Sequence, residues 1–199
     1  MKYNQINLGQ IEAIINKLGG EDGVKGLLSG ALVVVQNTTA QAKEKLLEFV
    51  STVRVSGSKR FVARDSFKKG NADGVKIYDI YQSFKTNFLG KTKEEEVSDA
   101  DLKIHKLLKS SRDPNIIVEL GANHETCLTY VWNLMKNQPN GEEGTLLTNS
   151  FANIFYVRDV EGVLWAVDVG WYGFGWGVGA SSVGSVDGWN AGHQAFSHN

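Results

Sequence analysis

The sequence predicts an α+β fold, in which a C-terminal antiparallel β-meander carries one main helix and a small N-terminal αα hairpin is attached. Large and small residues alternate along Trp165–Ala180, at the two-residue period of a strand. Apolar residues recur at helical spacing after Asn123 and again within the first thirty residues. Together these patterns favour a C-terminal sheet with the Asn123 helix on one face.

The N-terminal hairpin is predicted from its caps and glycines. Asn7 followed by Gln10 is a capping box that begins a helix, and Gly19-Gly20 ends it. A second short helix covers Glu21–Ser29, and Ala31–Val35 is a short apolar strand. A hairpin of this size cannot bury its apolar stripe alone, so we expect it to dock on the rest of the chain or on a partner.

Three segments follow along the chain. Residues 1–35 form the helical hairpin and short strand, residues 36–58 are linker or uncertain, and residues 59–199 form the α+β domain that ends in a Trp- and Gly-rich meander. Within that domain, Ile116–Leu120 is predicted as a strand. A helix is predicted to begin at an Asn123 cap and to end before Pro139.

The register of the meander is predicted from its first turn. Asp159-Val-Glu-Gly162 suits a type I turn followed by a left-handed glycine, which places Phe155 opposite Val167. A second turn is predicted as a two-residue loop at Tyr172-Gly173. Both turns place the large apolar residues on one face, which is the agreement expected of a sheet that buries that face.

The opposite face is predicted to be almost bare. Its small residues are Ala166, Gly170, Gly173, Gly175, Gly177 and Gly179. Glycine supplies no side-chain packing, so a row of it marks close approach by another backbone, an aromatic ring or a ligand. We therefore predict a binding site on this face, with Tyr156, Arg158 and Asp168 as its polar residues.

The tryptophans of the C-terminal region have two interpretations. Their flat faces suit a sugar-stacking platform, but the register places Trp165, Trp171 and Trp176 on the apolar face, which favours core packing. Trp189 follows Asp187-Gly188 and is the one most expected to reach the surface. It is therefore the fourth predicted binding residue.

A cysteine and a histidine offer the main catalytic alternative. His124 and Cys127 are three residues apart at the start of the predicted Asn123 helix, where the helix dipole lowers a thiol pKa and the histidine could act as a base. This pair would fit a hydrolase or transferase. Cys127 also lies on the apolar stripe of that helix, and this favours a buried structural thiol.

The stretch Lys59–Lys69 is the main nucleic-acid candidate, because its basic residues are interleaved with Phe61 and Phe67. Asp65 interrupts it, and the sequence pI of about 6.4 gives a weak electrostatic footprint, so nucleic-acid binding is not favoured.

No metal or cofactor is predicted. His193 and His198 have no supporting Cys or carboxylate cluster. The sequence of Gly175–Ala180 fits the glycine spacing of a dinucleotide-binding motif, but that motif leads into a helix, and here a strand is predicted on both sides.

Six segments resemble a family of small uncharacterised bacterial proteins. They are Ile11–Gly20, Arg60–Asp65, Asn87–Lys91, Gly144–Asn149, Ala152–Asp159 and Trp189–Ser197. The resemblance covers most of the chain and implies a bacterial, cytoplasmic protein, but no activity. The single cysteine excludes an internal disulfide, and neither a signal-peptide core nor a membrane-spanning run is found in the sequence. The expectation is a non-enzymatic interaction or structural protein with a protein partner, which includes self-association.

Overall fold

The computed structural model describes residues 7–29, 45–91 and 94–199, and the chain divides into two compact units between Glu44 and Lys45. The first unit contains the predicted hairpin, with α1 at Leu8–Lys17 and α2 at Glu21–Leu28. Asn7 and Gln10 form the capping box, because each backbone N–H donates to the other side chain at 2.9 Å. The predicted strand 31–35 lies outside the described residues.

The second unit contains the remaining elements. Its strands are β1 (Leu47–Val55), β2 (Ser58–Val62), β3 (Gly70–Ala72), β4 (Val75–Ile80), β5 (Glu94–Val97), β6 (Ala100–Leu107), β7 (Glu125–Thr126), β8 (Asn153–Arg158), β9 (Leu164–Trp171), β10 (Trp176–Ser182) and β11 (Gln194–His198). Its helices are α3 (Ala63–Ser66), α4 (Gln82–Phe84) with the π-turn Lys85–Leu89, α5 (Asp113–Leu120) with the 3₁₀ turn Gly121–Asn123, and α6 (Leu128–Asn137).

One large mixed sheet organises this unit. Its strand order is β1-β6-β11-β8-β9-β10-β4-β3, with β7 also paired to β8, and the sheet is not closed. The β7–β8, β8–β11 and β4–β10 pairs are parallel, whereas the other pairs are antiparallel. A separate two-stranded sheet joins β2 to β5. The fold is therefore mixed α and β, with the consecutive antiparallel strands β8–β10 in the middle of the large sheet.

The first C-terminal turn has the predicted register. Phe155 pairs with Val167, and Gly162 takes the left-handed conformation with φ of 80°. The second turn differs, because β9 and β10 are joined by residues 172–175, so Trp171 pairs with Trp176. A shift of two residues leaves every side chain on its predicted face, since side chains alternate with a period of two.

The helices differ more from the prediction. Ile116–Leu120 lies in α5 and is not a strand, because the Asp-Pro pair at 113–114 begins a helix there. The helix predicted to begin at an Asn123 cap begins four residues later, with Cys127 as its N-cap residue and Leu128 as its first helical residue. Residues 36–58, predicted as linker or uncertain, contain β1 from Leu47 onward.

Two hydrophobic clusters lie on opposite faces of the large sheet. The first contains Phe155, Val167 and Trp176 together with the buried side of α6. The second contains Ile154, Tyr156 and Ala166 together with Ile116 of α5. Since alternate residues of β8 and β9 enter different clusters, the sheet has a helix-packed core on each side.

Candidate functional site: the Asp113 pocket

A buried aspartate lies at the start of α5. Asp113 is only 2% exposed, and its Oδ1 accepts hydrogen bonds from Tyr156 Oη at 2.9 Å and from Trp189 Nε1 at 2.7 Å. Ser111 and Trp189 form a two-way backbone bridge, with N–H to O distances of 2.9 and 2.8 Å. These contacts, named here the Asp113 cluster (Asp113, Tyr156 and Trp189), join α5, β8 and the segment that precedes β11.

Burial sets the electrostatics of this cluster. It raises the pKa of Asp113 above its ordinary value, although the hydrogen bonds from Trp189 and Tyr156 partly oppose the change. Burial, with the nearby Asp113 carboxyl, also raises the pKa of the Tyr156 phenol. Tyr156 is therefore a permanent donor to Asp113 at neutral pH.

A second carboxyl lies on the same face of the sheet. Burial raises the pKa of Asp168 to about 6, and the charge of Asp113 adds to the rise. Asp168 lies against Gly179 on the paired strand, where an added Cβ would come within 2.5 Å of Asp168 Oδ1. Gly179 therefore makes room for a carboxyl that a larger residue would displace.

A pocket opens beside the cluster. Its volume is about 180 Å³, and it is lined by Asp113, Ser181, Ser185, Asp187, Gly188 and Trp189, a set named here the Asp113 pocket. Ser181 belongs to β10, and the last four residues precede β11. The lining therefore combines two carboxyls, two hydroxyls and one indole.

Much of the predicted glycine face is covered by the chain itself. A Cβ on Gly177 would meet the Tyr172 ring at 2.6 Å, and one on Gly175 would meet the Tyr78 backbone N at 2.8 Å. Tyr172 itself is 43% exposed, so its ring covers the glycine with one side and leaves the other in solvent. These glycines are positions of close packing and not an open groove.

The structure separates the four predicted binding residues. Tyr156 and Trp189 belong to the Asp113 cluster, and Asp168 lies on the same face. Arg158 does not join them, because it is exposed and its Nε donates to Glu125 Oε2 at 2.8 Å. Sequence reasoning did not select Asp113, and the helix-starting Asp-Pro pair was the signal that could have drawn attention to it.

The predicted Cys127–His124 pair is not assembled as a catalytic pair. Burial and Glu95 raise the pKa of the Cys127 thiol to about 12. His124 Nδ1 is instead bonded to Gly121 O at 2.7 Å, and no hydrogen bond joins it to Cys127 among the described residues. A raised thiol pKa is the opposite of what an activated nucleophile needs.

The basic stretch Lys59–Lys69 is arranged as ordinary protein surface. Phe61 and Phe67 are buried, so neither ring can stack on a base. Arg60 pairs with Glu94 at 2.8 Å, and Lys69 pairs with Asp79 at 3.2 Å. Most of the predicted stacking and backbone-tracking groups are thus used within the fold.

The apolar-face tryptophans lie where the register predicts. Trp176 is fully buried and donates from Nε1 to Gln138 O at 2.9 Å, and Trp171 is 9% exposed. Trp165 is half-buried and donates to Asp159 Oδ2 at 2.9 Å. Core packing rather than a sugar platform accounts for these three rings.

Comparisons with known proteins leave the site to be interpreted on its own geometry. No protein-family model matches the chain, and neither the curated proteins nor the solved structures contain a match. The resemblance to uncharacterised bacterial proteins therefore stays a prediction. Within residues 7–29, 45–91 and 94–199, no three His, Cys, Asp or Glu side chains group as metal ligands, and no helix is long and apolar enough to cross a membrane.

Proposed function

We propose that this protein is a non-enzymatic binding protein that holds a polar group of a ligand or partner in the Asp113 pocket. The observation that carries this proposal is the convergence of buried Asp113 with Tyr156 and Trp189 at the wall of a pocket. Buried polar groups that line a concave site are typical of recognition, because their desolvation is offset when a complementary group binds.

The size of the Asp113 pocket limits what it can hold. Pockets for whole drug-sized molecules occupy roughly 300–1,000 Å³. At about 180 Å³ the pocket suits a head group of a few heavy atoms, with the rest of the ligand or partner outside. This is compatible with a side chain of a protein partner, which is the class of partner that the sequence favours.

The other functions receive less support from the geometry. The raised pKa of Cys127 weakens the hydrolase or transferase alternative, and the buried Phe61 and Phe67 weaken nucleic-acid binding. A bacterial, cytoplasmic setting rests on the family resemblance and on the single cysteine of the chain.

Nuclear magnetic resonance of the indole N–H groups tests the proposal. The Trp189 signal, identified by its loss in Trp189→Phe, reports on the bond to Asp113. We expect members of a set of small neutral and charged polar compounds to move the Trp189 signal and to leave the buried Trp176 signal in place. Ser185→Phe should fill the pocket and abolish the shift, whereas Ser51→Phe, on the exposed part of β1, should not.

Two outcomes would contradict the proposal. One is that no compound in the set moves the Trp189 signal. The other is that the shift persists unchanged in Ser185→Phe.

A further inference from the structure

We propose that the group held in the Asp113 pocket is a guanidinium, either of a free small molecule or at the end of an arginine side chain. This inference rests on the proposed function and names the chemistry that the pocket selects. It is carried by the charge of the lining, by an unpartnered oxygen of a buried carboxyl, and by the aromatic wall.

The lining is acidic and has no internal counter-charge. Asp113 and Asp187 both line the pocket, and none of the described residues that line it is basic. Across the described ranges, no Lys, Arg or His lies within ion-pair distance of Asp113, Asp168 or Asp187. A buried carboxylate without a counter-charge is costly, so a cation that enters the pocket offsets part of that cost.

One oxygen of the buried carboxyl remains unused. Asp113 Oδ1 accepts both hydrogen bonds of the Asp113 cluster, and Oδ2 accepts none within the described part of the chain. The residue is only 2% exposed, and what remains accessible lines the pocket. An acceptor in this position is suited to one donor from a bound group, and a planar guanidinium can reach several acceptors at once.

The remaining walls fit the same group. Trp189 presents an indole, the ring that attracts cations best, and its own N–H is already occupied by Asp113. The Ser181 and Ser185 hydroxyls offer further acceptors. Asp187 Oδ2 is 3.5 Å from Ser185 Oγ, and Asp187 Oδ1 has no partner in the described ranges.

Arg112 lies near the rim of the pocket. Arg112 Cγ is 3.6 Å from where a Cβ of Gly188 would lie, but the arginine is exposed and pairs with neither pocket carboxyl. Its like charge should weaken the binding of a cation, so Arg112→Gln should tighten it slightly.

A titration with two isosteres tests the inference. Methylguanidinium and methylurea have nearly the same shape, and only the first is charged. With the Trp189 indole signal as readout, we expect methylguanidinium to bind the full chain about tenfold more tightly than methylurea, because charge-assisted hydrogen bonds are roughly twice as strong as neutral ones. A blocked arginine amide binding as well as methylguanidinium would indicate a protein side chain as the source, and its failure would indicate a free small molecule.

A matched pair of variants locates the effect. Asp187→Asn should reduce the preference for methylguanidinium at least several-fold, whereas Asp73→Asn, the same charge change at the exposed turn before β4, should leave it unchanged. Asp187 is itself exposed, so its variant is expected to fold.

The outcomes separate the inference from the proposed function. Equal binding of the two isosteres would overturn the guanidinium assignment and leave a pocket for neutral groups. A preference that Asp187→Asn does not change would also overturn the assignment, because the cation would then not be held by the pocket carboxyls. Binding of neither isostere overturns the guanidinium assignment. If the wider compound set also fails to move the Trp189 signal, the proposed function fails as well.

Discussion

On one face of the large sheet, strands β8–β10 contribute Phe155, Val167 and Trp176 to the cluster that they share with α6. On the other face, the same strands contribute Tyr156 and Asp168 beside the start of α5. On the first face, the buried indole of Trp176 donates from Nε1 to Gln138 O. The second face retains two carboxyls with raised pKa values, Asp113 and Asp168, and neither forms an ion pair among the described residues. We therefore expect stability to depend mainly on the aromatic face, and the proposed recognition to depend on the other face.

Removing the central ring of the aromatic face should have the largest effect. Trp176→Ala leaves a cavity and an unpaired Gln138 carbonyl, so we expect the free energy of unfolding in urea to fall by about 3–5 kcal/mol. Phe174→Ala, at a ring that is 54% exposed, should change it by less than about 0.5 kcal/mol. Similar losses from the two variants would remove the distinction between core and surface aromatics.

The carboxyl face should respond to pH. Because burial raises the folded-state pKa of Asp168 from 3.8 to about 6, its proton stabilises the fold below about pH 4, and this contribution is lost as the pH rises through 6. At pH 7 Asp168→Asn should therefore be more stable than the wild-type chain by up to about 3 kcal/mol. Urea unfolding from pH 4 to pH 8 measures this difference. A variant that is less stable than wild type at pH 7 would show that Asp168 has a partner there.

The glycines of the second face can be tested as packing positions. An alanine Cβ at Gly177 would press on the Tyr172 ring, so Gly177→Ala should cost about 1–3 kcal/mol of unfolding free energy. The same substitution in a Tyr172→Ala background should cost measurably less, because the obstructing ring is gone. An equal cost in both backgrounds would assign the role of Gly177 to its backbone instead.

The smallest effect is expected at Arg158. Its pair with Glu125 is solvent-exposed, so Arg158→Ala should lower the free energy of unfolding only slightly, and less still in high salt. A double-mutant cycle with Glu125→Ala measures the coupling of the pair. The Trp189 indole signal should not move. A shift of that signal would place Arg158 back in the binding face.

The prediction from sequence was accurate where local chemistry decides the structure. Asp159–Gly162 carries a turn with specific residue requirements, so the register of β8 and β9 followed from it. Because side chains alternate along a strand, Trp176 and Tyr156 were correctly predicted to lie on opposite faces of the sheet, even though the second turn is longer than predicted. The prediction of a strand at Ile116–Leu120 was wrong, because a short apolar run does not distinguish a buried helix from a strand.

The site could be predicted only in part, because it depends on contacts distant in sequence. Asp113 contacts Tyr156, which is 43 positions away in the sequence, and Trp189, which is 76 positions away. Only the sheet order, with β11 returning beside β8, brings these residues together. Arg158 was predicted as a binding residue from its position on the strand. Its side chain pairs with Glu125 of β7 instead, and no periodic pattern in the sequence indicated that short strand.

Carbon-13 NMR titration of the aspartate carboxyls tests the central claim most directly. In the free protein we expect Asp168 to titrate near pH 6 and Asp113 above the ordinary aspartate range, and we expect methylguanidinium to lower the pKa of Asp113. Ordinary pKa values at both residues, or an Asp113 pKa that methylguanidinium leaves unchanged, would contradict the account of a carboxyl face that recognises a cation.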